Sequence, residues 1–451
     1  MTQSATVDAV SELLGPWMSR QRWASREKGD QRISVDHAEL LFDQGRAPRV
    51  LWYMVRTADD AQYQALVALR SDADAIDLGE RDVLGFVESE EGKLFAYDAM
   101  ADPEAVRPLA GQMGLPGAAE MTVRPVGAEQ SNTSVVLGDK EHGDRAILKL
   151  YRRIRPGPNP DVEVPAGLDR VGFNHLAAPL AVWRRGDFDL AVAQEYLAGG
   201  VEGWALALAS LRDLYADTQA DPTQAGGDLS GEARRIGEMT GRLHLALAEA
   251  FGLSPNAVDS WTEVTTSQAD ALGLEVGQRR AVDEVVGRVR RLAETGTIGP
   301  SIRVHGDYHL GQIMRTDNGW YVLDFEGEPA RSLEERRLPW PALKDVAGML
   351  RSFDYAAGVG LTERMPSERD GLTARGHSWA ESNRAAFLHG YAAVEGIGAL
   401  LPEGDPDSRA TAKLTSYFEL DKALYELAYE RSHRPDWEWI PAGAIEALLA
   451  G

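Results

Sequence analysis

Cysteine is absent from the 451 residues, which excludes a disulfide framework and any thiolate-ligated zinc site. Positive charge is scarce: 47 Lys and Arg stand against 70 Asp and Glu, a formal charge of -23. Such a surface repels nucleic acid and anionic membranes, so neither is expected as a partner, and a bound nucleotide has to be held locally by a metal and a few cations. Long apolar runs are missing as well; the longest fall far short of a membrane span. The N-terminal MTQSATVDAVSELL is acidic and amphipathic, where a secretion signal is basic and then apolar, so a cytoplasmic protein is expected.

What remains is the composition of a globular protein, 44% hydrophobic and 26% charged, in a chain long enough for two or three domains. Its chemistry concentrates in VHGDYHLGQIMRTDNGWYVLDFEGE, residues 304–328. Two apolar runs, 301–304 and 320–325, each end in polar groups, with turn residues Asp317, Asn318 and Gly319 between them, which predicts a hairpin with chemistry at its ends. Phosphoryl transfer needs a carboxylate to take the proton of the attacking hydroxyl and oxygen ligands for magnesium. Asp307 fits the first need; Gln312 and Asp324 fit the second. The spacing resembles the catalytic loop and metal-binding Asp of the kinase-like phosphotransferases, with HGD in place of HRD and DFE in place of DFG. An ordinary hairpin with Asp and Gly in its turn is the plain alternative.

Upstream, residues 7–18 read as an amphipathic helix, and runs at 50–57, 63–70 and 92–100 read as strands of a β-rich cap, sufficiently explained as a structural extension. In 122–151, two strand-like runs flank the polar turn Gln130, Ser131, Asn132, Thr133, Ser134, and the run AILKLY carries Lys149. A turn of small residues with free amides, followed by a strand with an inward lysine, suits phosphate binding. The turn lacks the Gly-x-Gly-x-x-Gly glycines, and a lone strand lysine is ordinarily a solvated edge residue. Glu163, opening a helix-like segment shortly afterwards, offers Lys149 a carboxylate partner. The strand at 189–197 ends in Gln194, Glu195 and Tyr196, which fits an adenine-contacting hinge and equally a plain core strand. Beyond about 200 the chain turns helical. His244 fits a buried, hydrogen-bonded core position, and Asp345 a helix cap.

Near the C-terminus, SYFELDKALYELAYERSHRPDWEWIP (416–441) predicts a helix with Asp421, Tyr425 and Tyr429 on one face and Lys422 paired to Glu426 one turn on. With Tyr308, Glu430, Trp437 and Glu438, it offers flat faces and planar acceptors for a sugar. A solvated amphipathic helix would carry the same residues.

Taken in order, VGAEQSNTSVV, AILKLYRR, GPNPDVEV, EGWALALAS, VHGDYHLGQ, LDFEGEP, DVAGMLRSFDYA and FELDKALYE with HRPDW resemble the actinobacterial maltokinase group, over residues 122–441. The resemblance implies an α+β, bilobal protein-kinase-like fold, similar to aminoglycoside phosphotransferases, with an N-terminal β-rich cap subdomain. The expected division is 1–110 cap, 111–200 N-lobe and 201–451 helical C-lobe. It also implies an ATP- and magnesium-dependent sugar kinase in which Asp307 is the base, Gln312 and Asp324 hold magnesium and Lys149 orients phosphates. A monomer acting on a small sugar is expected.

The departures bear on the acceptor. Arg22 and Trp23 run into ASREKGDQR, Tyr308 follows the catalytic Asp, and Asp436, Glu438 and Trp439 alter the C-terminal turn. Carboxylates beside an aromatic wall suit a cationic sugar, and the group also resembles kinases of glucosamine. The acceptor is therefore expected to be glucosamine, giving glucosamine 6-phosphate. Maltose, giving maltose 1-phosphate, is the alternative, and a nucleotide-binding pseudokinase the more distant one.

Overall fold

The computed structural model describes all residues except 1–2, 25–32, 44–47, 72–73, 91, 128–130, 217–227, 329–331, 363 and 451. Gln130 and the ASREKGDQR departure beyond Ala24 therefore lie outside the described residues. The chain divides into two compact units, one of Met1–Glu163 with Ala177–Ala198, the other of Val164–Leu176 with Gly199–Gly451.

In the first unit, helix α1 (Gln3–Met18) buries Val10, Leu14 and Trp17 against an antiparallel sheet of β1 (Ile33–Phe42), β2 (Arg49–Thr57), β3 (Gln62–Ser71), β4 (Val83–Ser89) and β5 (Gly92–Asp98), ordered β1-β2-β3-β5-β4. Apolar and β-branched residues dominate β2 and β3 on both faces, because α1 covers one face and a second apolar cluster the other. Helix α2 (Pro103–Gln112) follows, its N-terminus capped by Asp102. A second antiparallel sheet runs β10-β11-β8-β7-β6, from β6 (Thr122–Pro125), β7 (Asn132–Asp139), β8 (Gly143–Tyr151), β10 (Pro179–Arg185) and β11 (Phe188–Glu195). The expected boundary near 110 thus separates two sheets within one unit. The short β9 (Arg153–Ile154) pairs with β3, and the buried Gln64 amide donates to Tyr151 and Leu190 carbonyls. Helix α3 (Pro160–Arg170) closes the unit and runs into the next.

The second unit is helical, and its one large core draws on most of its elements. Strand β12 (Val201–Glu202) leads into α4 (Gly203–Ala216); α5 (Ser230–Phe251), β13 (Leu253–Ser254), α6 (Val258–Leu272) and α7 (Val276–Glu294) follow, then β14 (Ser301–Ile302). The predicted hairpin exists, with a different first strand. β15 (Ile313–Thr316) and β16 (Gly319–Val322) pair across the two-residue turn Asp317, Asn318, whereas Ser301 and Ile302 pair with β13 instead. The apolar run at 301–304 is buried, with strand only at Ser301 and Ile302, and its strand hydrogen bonds go elsewhere. The short α8 (Leu333–Arg336) precedes the packed helices α9 (Leu343–Thr362), α10 (Pro366–Ala392), α11 (Arg409–His433) and α12 (Trp439–Ala450). Helices α5 and α10 approach closely at Gly237 and Gly390, where any Cβ would strike the other helix's backbone.

Candidate active site

The loop between β14 and β15 is held from beneath by one carboxylate. Asp345, buried near the start of α9, accepts from the backbone N–H of His305 at 2.8 Å and of Gly306 at 2.9 Å, and faces His244 Nε2 at 3.4 Å. Burial works to raise its pKa, but His244, His305 and the Gly306 amide outweigh this and hold it below the ordinary carboxylate value. Asp345 is therefore more than a helix cap. His244 is the buried core histidine expected, its Nδ1 2.9 Å from the Tyr391 hydroxyl. His305 Nε2–H donates to the Leu323 carbonyl at 2.8 Å, leaving Nδ1 to face the Asp307 N–H. Gly306 takes φ +87° and Gly348 of α9 lies directly under the Tyr308 carbonyl, so both glycines are required by the loop's path.

This scaffold presents Asp307. Its Oδ1 lies 3.0 Å from Lys422 Nζ of α11 and its Oδ2 3.8 Å from His309 Nε2. Burial favours the neutral acid, yet the Lys422 charge and His309 hold the carboxyl far below the ordinary range. Lys422 also reaches Glu328 at 3.1 Å, and the carboxylates around it raise its own pKa despite burial. The expected Lys422–Glu426 interaction is one of charge alone: Lys422 hydrogen-bonds Asp307 and Glu328, Glu426 adds to the charge that raises its pKa, and the Glu426 hydrogen bond comes from Arg351 at 2.7 Å.

Asp307 lines a cavity of about 790 Å³. Along α11 the cavity takes Lys422, Tyr425, Glu426, Tyr429, Glu430 and His433, a stripe with i, i+3, i+4 and i+7 spacing. Asp421 lies off that stripe; its carboxylate accepts from Thr265 Oγ1 at 2.7 Å, on the side facing α6. Tyr308 is likewise turned away, fully buried with its hydroxyl 2.8 Å from Thr240. Glu438 is outside the lining and pairs with Arg431 at 2.8 Å. Three residues expected on the sugar thus lie outside this cavity, Tyr308 and Asp421 lining a small one beside Asp307 instead, while Asp307, Lys422, Tyr425, Glu426, Glu430 and Trp437 line it.

Sequence reasoning missed Glu202, Trp204, Tyr355 and Arg434, which also line the cavity. Trp204, Tyr355 and Trp437 form a run of aromatic rings, with centroids 6.2 and 6.4 Å apart in turn. Arg434 lies over Trp437 and closes a bidentate pair on Glu430, which also accepts from the Tyr355 hydroxyl. The readable signal was an aromatic and a carboxylate together at the start of α4, Glu202-Gly203-Trp204.

At the base of the hairpin the Gln312 side-chain amide meets the Asp324 carboxylate at 3.3 Å. Asp324 has φ +54°, a backbone strain that an aspartate sustains only when surroundings demand it. Turned over, the amide presents its oxygen, so two oxygen donors converge as a hard cation requires.

In the first unit, Lys149 meets Asp161 at 3.0 Å, two positions ahead of the Glu163 chosen from sequence. Asp161 lies in the first turn of α3, where it also accepts from Tyr151. The expected phosphate turn is shorter than predicted: Asn132, Thr133 and Ser134 already belong to β7, with Ser134 opposite Lys149, and Thr133 accepts from Arg152 at 2.7 Å. Ser131 immediately precedes that strand, Gln194 ends near the close of β11, and the Tyr196 N–H donates to the Arg145 carbonyl.

Residues 122–360, more than half of the chain, match the model of the phosphotransferase enzyme family, and residues 17–102 match the maltokinase N-terminal cap domain. A glucosamine kinase of Mycolicibacterium smegmatis is 30% identical over 347 residues, 72% of this chain and 79% of the relative. One from Streptacidiphilus jiangxiensis is 28% identical over 358 residues, 74% and 75% of the two chains. A glucosamine kinase solved with glucosamine, ADP and inorganic phosphate superposes with a TM-score of 0.63 at 23% identity, covering 93% of this chain and 94% of the other.

Proposed function

Since the chain belongs to the phosphotransferase enzyme family, we propose that it is a kinase that moves the γ-phosphoryl group of ATP to the 6-hydroxyl of glucosamine. One observation carries the choice of an aminosugar: the cavity is lined by four carboxylates, Glu202, Asp307, Glu426 and Glu430, against Lys422 and Arg434 and the two histidines His309 and His433. An ammonium ion relieves that excess of negative charge, and the aromatic run supplies a flat face for the ring. The named activity of the two curated relatives points the same way.

Among the carboxylates, Glu426 is the acceptor for the ammonium. Glu430 spends both oxygens on Arg434 and Tyr355, and Asp307 is held by Lys422. Glu426 accepts through Oε2 only, which leaves Oε1 without a partner among the described residues. In the reaction the sugar hydroxyl oxygen bonds to the γ-phosphorus, its proton passes to Asp307, and the bond to the β-phosphate oxygen breaks to release ADP. Gln312 and Asp324 would hold magnesium, which neutralises phosphate charge when bound. Lys149, steadied by Asp161, contacts the phosphates.

The match to a maltokinase cap supports a second reading, maltose 1-phosphate synthesis. Product identification separates them. With ATP and magnesium, NMR of the product from glucosamine is expected to place the phosphate on the 6-oxygen; phosphate on the anomeric oxygen of maltose, with glucosamine untouched, would replace this reading by the second.

A further inference from the structure

A chain of buried and half-buried charges stands behind the cavity wall. Arg351 of α9 is 2% exposed, and its guanidinium donates to Glu426 at 2.7 Å and approaches Asp354 at 3.5 Å. Asp354 in turn accepts from Arg384 of α10 at 2.8 Å, and Arg384 donates to Glu419 of α11 at 2.6 Å. Three carboxylates and two guanidiniums alternate, so the chain carries one formal negative charge in excess. Glu426 is the end that faces the proposed sugar cavity; the other four groups line a separate cavity of about 630 Å³ between α9, α10, α11 and α12.

We propose that Arg351 is a positioning residue that sets the enzyme's preference for an amine, acting through Glu426. This inference rests on the aminosugar reading above. A buried guanidinium is a costly way to hold a helix, because its desolvation is repaid only by well-placed partners. Here it grips one oxygen of Glu426, a residue that lines the cavity, and does not take up the other. Asp354, shared between Arg351 and Arg384, draws on the guanidinium and keeps it from fully neutralising Glu426. The substrate's ammonium is then the sixth member of the alternating series. A neutral sugar offers the chain no charge, so it gains nothing from this arrangement. The selectivity is built three groups deep, where the sugar touches only the first.

The test uses the full-length enzyme and measures kcat/KM for glucosamine and glucose, with KM for ATP as the control. Glu426→Gln is expected to lower kcat/KM for glucosamine by about tenfold or more, the worth of one charge-assisted hydrogen bond. Arg351→Met is expected to do the same, and the double variant to lose no more than the worse single variant, since both changes break one device. KM for ATP stays near wild type, and glucose kcat/KM falls much less than glucosamine kcat/KM in each variant. Arg351→Lys keeps the charge without the fork and is expected to recover only part of the preference. Should Arg351→Met fail to fold, Asp354→Asn decides: Asp354 is one-third exposed, lies outside the sugar cavity, and its neutralisation is expected to lower the glucosamine-to-glucose ratio severalfold. Losses that multiply in the double variant, or that fall equally on both sugars, overturn the inference. So does a ratio unchanged in Asp354→Asn. A wild-type enzyme with no preference for glucosamine overturns the aminosugar reading itself, and this inference with it.

Discussion

Asp307 and Lys422 are 3.0 Å apart, and their pairing has opposite effects on binding and on proton transfer. A carboxylate kept ionised is always ready to accept a proton, yet one held far below the ordinary range is a weaker base. The expected behaviour follows from the sign. Lys422→Met removes the nearest positive charge, so the Asp307 pKa rises and the acidic limb of kcat/KM against pH moves upward, by about one to three pH units. An acidic limb that stays in place would mean that Lys422 does not set this carboxyl. Asp307→Asn keeps the shape but loses the base, and turnover is expected to fall by about 10² to 10⁴ with nucleotide affinity largely retained. Measuring single-turnover rate and ADP binding side by side checks both halves; a loss of less than tenfold would remove Asp307 from the base role.

At the scale of elements, helix α9 is the platform on which the catalytic loop rests. Asp345 holds the loop's amides, Ser352 accepts from the Leu310 N–H, and Gly348 lets the Tyr308 carbonyl approach. A Cβ at position 348 would lie 2.6 Å from that carbonyl oxygen. Gly348→Ala is therefore expected to cost about 1–3 kcal/mol of stability and to lower kcat, because the loop must shift with it. Thermal melting and turnover of this variant check the point, and wild-type values in both would contradict it. Elements also set what was readable from sequence. Asp307, Gln312 and Asp324 lie close in the chain, so their order alone suggested a site, and the helical spacing of α11 suggested a sugar-facing stripe. The phase of that stripe was not readable. Whether Asp421 or Lys422 leads it depends on which side α6 packs, and Thr265 takes Asp421. Trp204 and Tyr355 come from α4 and α9, far apart in sequence, and only tertiary packing brings their rings together. Tyr308 reads as a sugar-contacting ring beside the base, but the loop's path turns it inward to Thr240.

The molecule as a whole carries a formal charge of -23, and the proposed sugar cavity shares that sign. A cationic sugar is drawn by both, so KM for glucosamine is expected to rise as salt increases from 0.01 to 1 M, over which the screening length falls from about 30 to about 3 Å. KM for a neutral sugar should hold nearly constant over the same range, and parallel behaviour of the two would show that charge does not recruit the substrate. The central claim is recognition of an amine next to a base that activates a hydroxyl, and one comparison reaches it most directly. That measurement is kcat/KM of the wild-type enzyme for glucosamine, glucose, N-acetylglucosamine and maltose under one set of conditions. Glucosamine is predicted to exceed glucose by about tenfold to over a hundredfold, with N-acetylglucosamine poor because it lacks the charge and adds bulk. Glucose equal to glucosamine, or maltose ahead of both, would contradict the account.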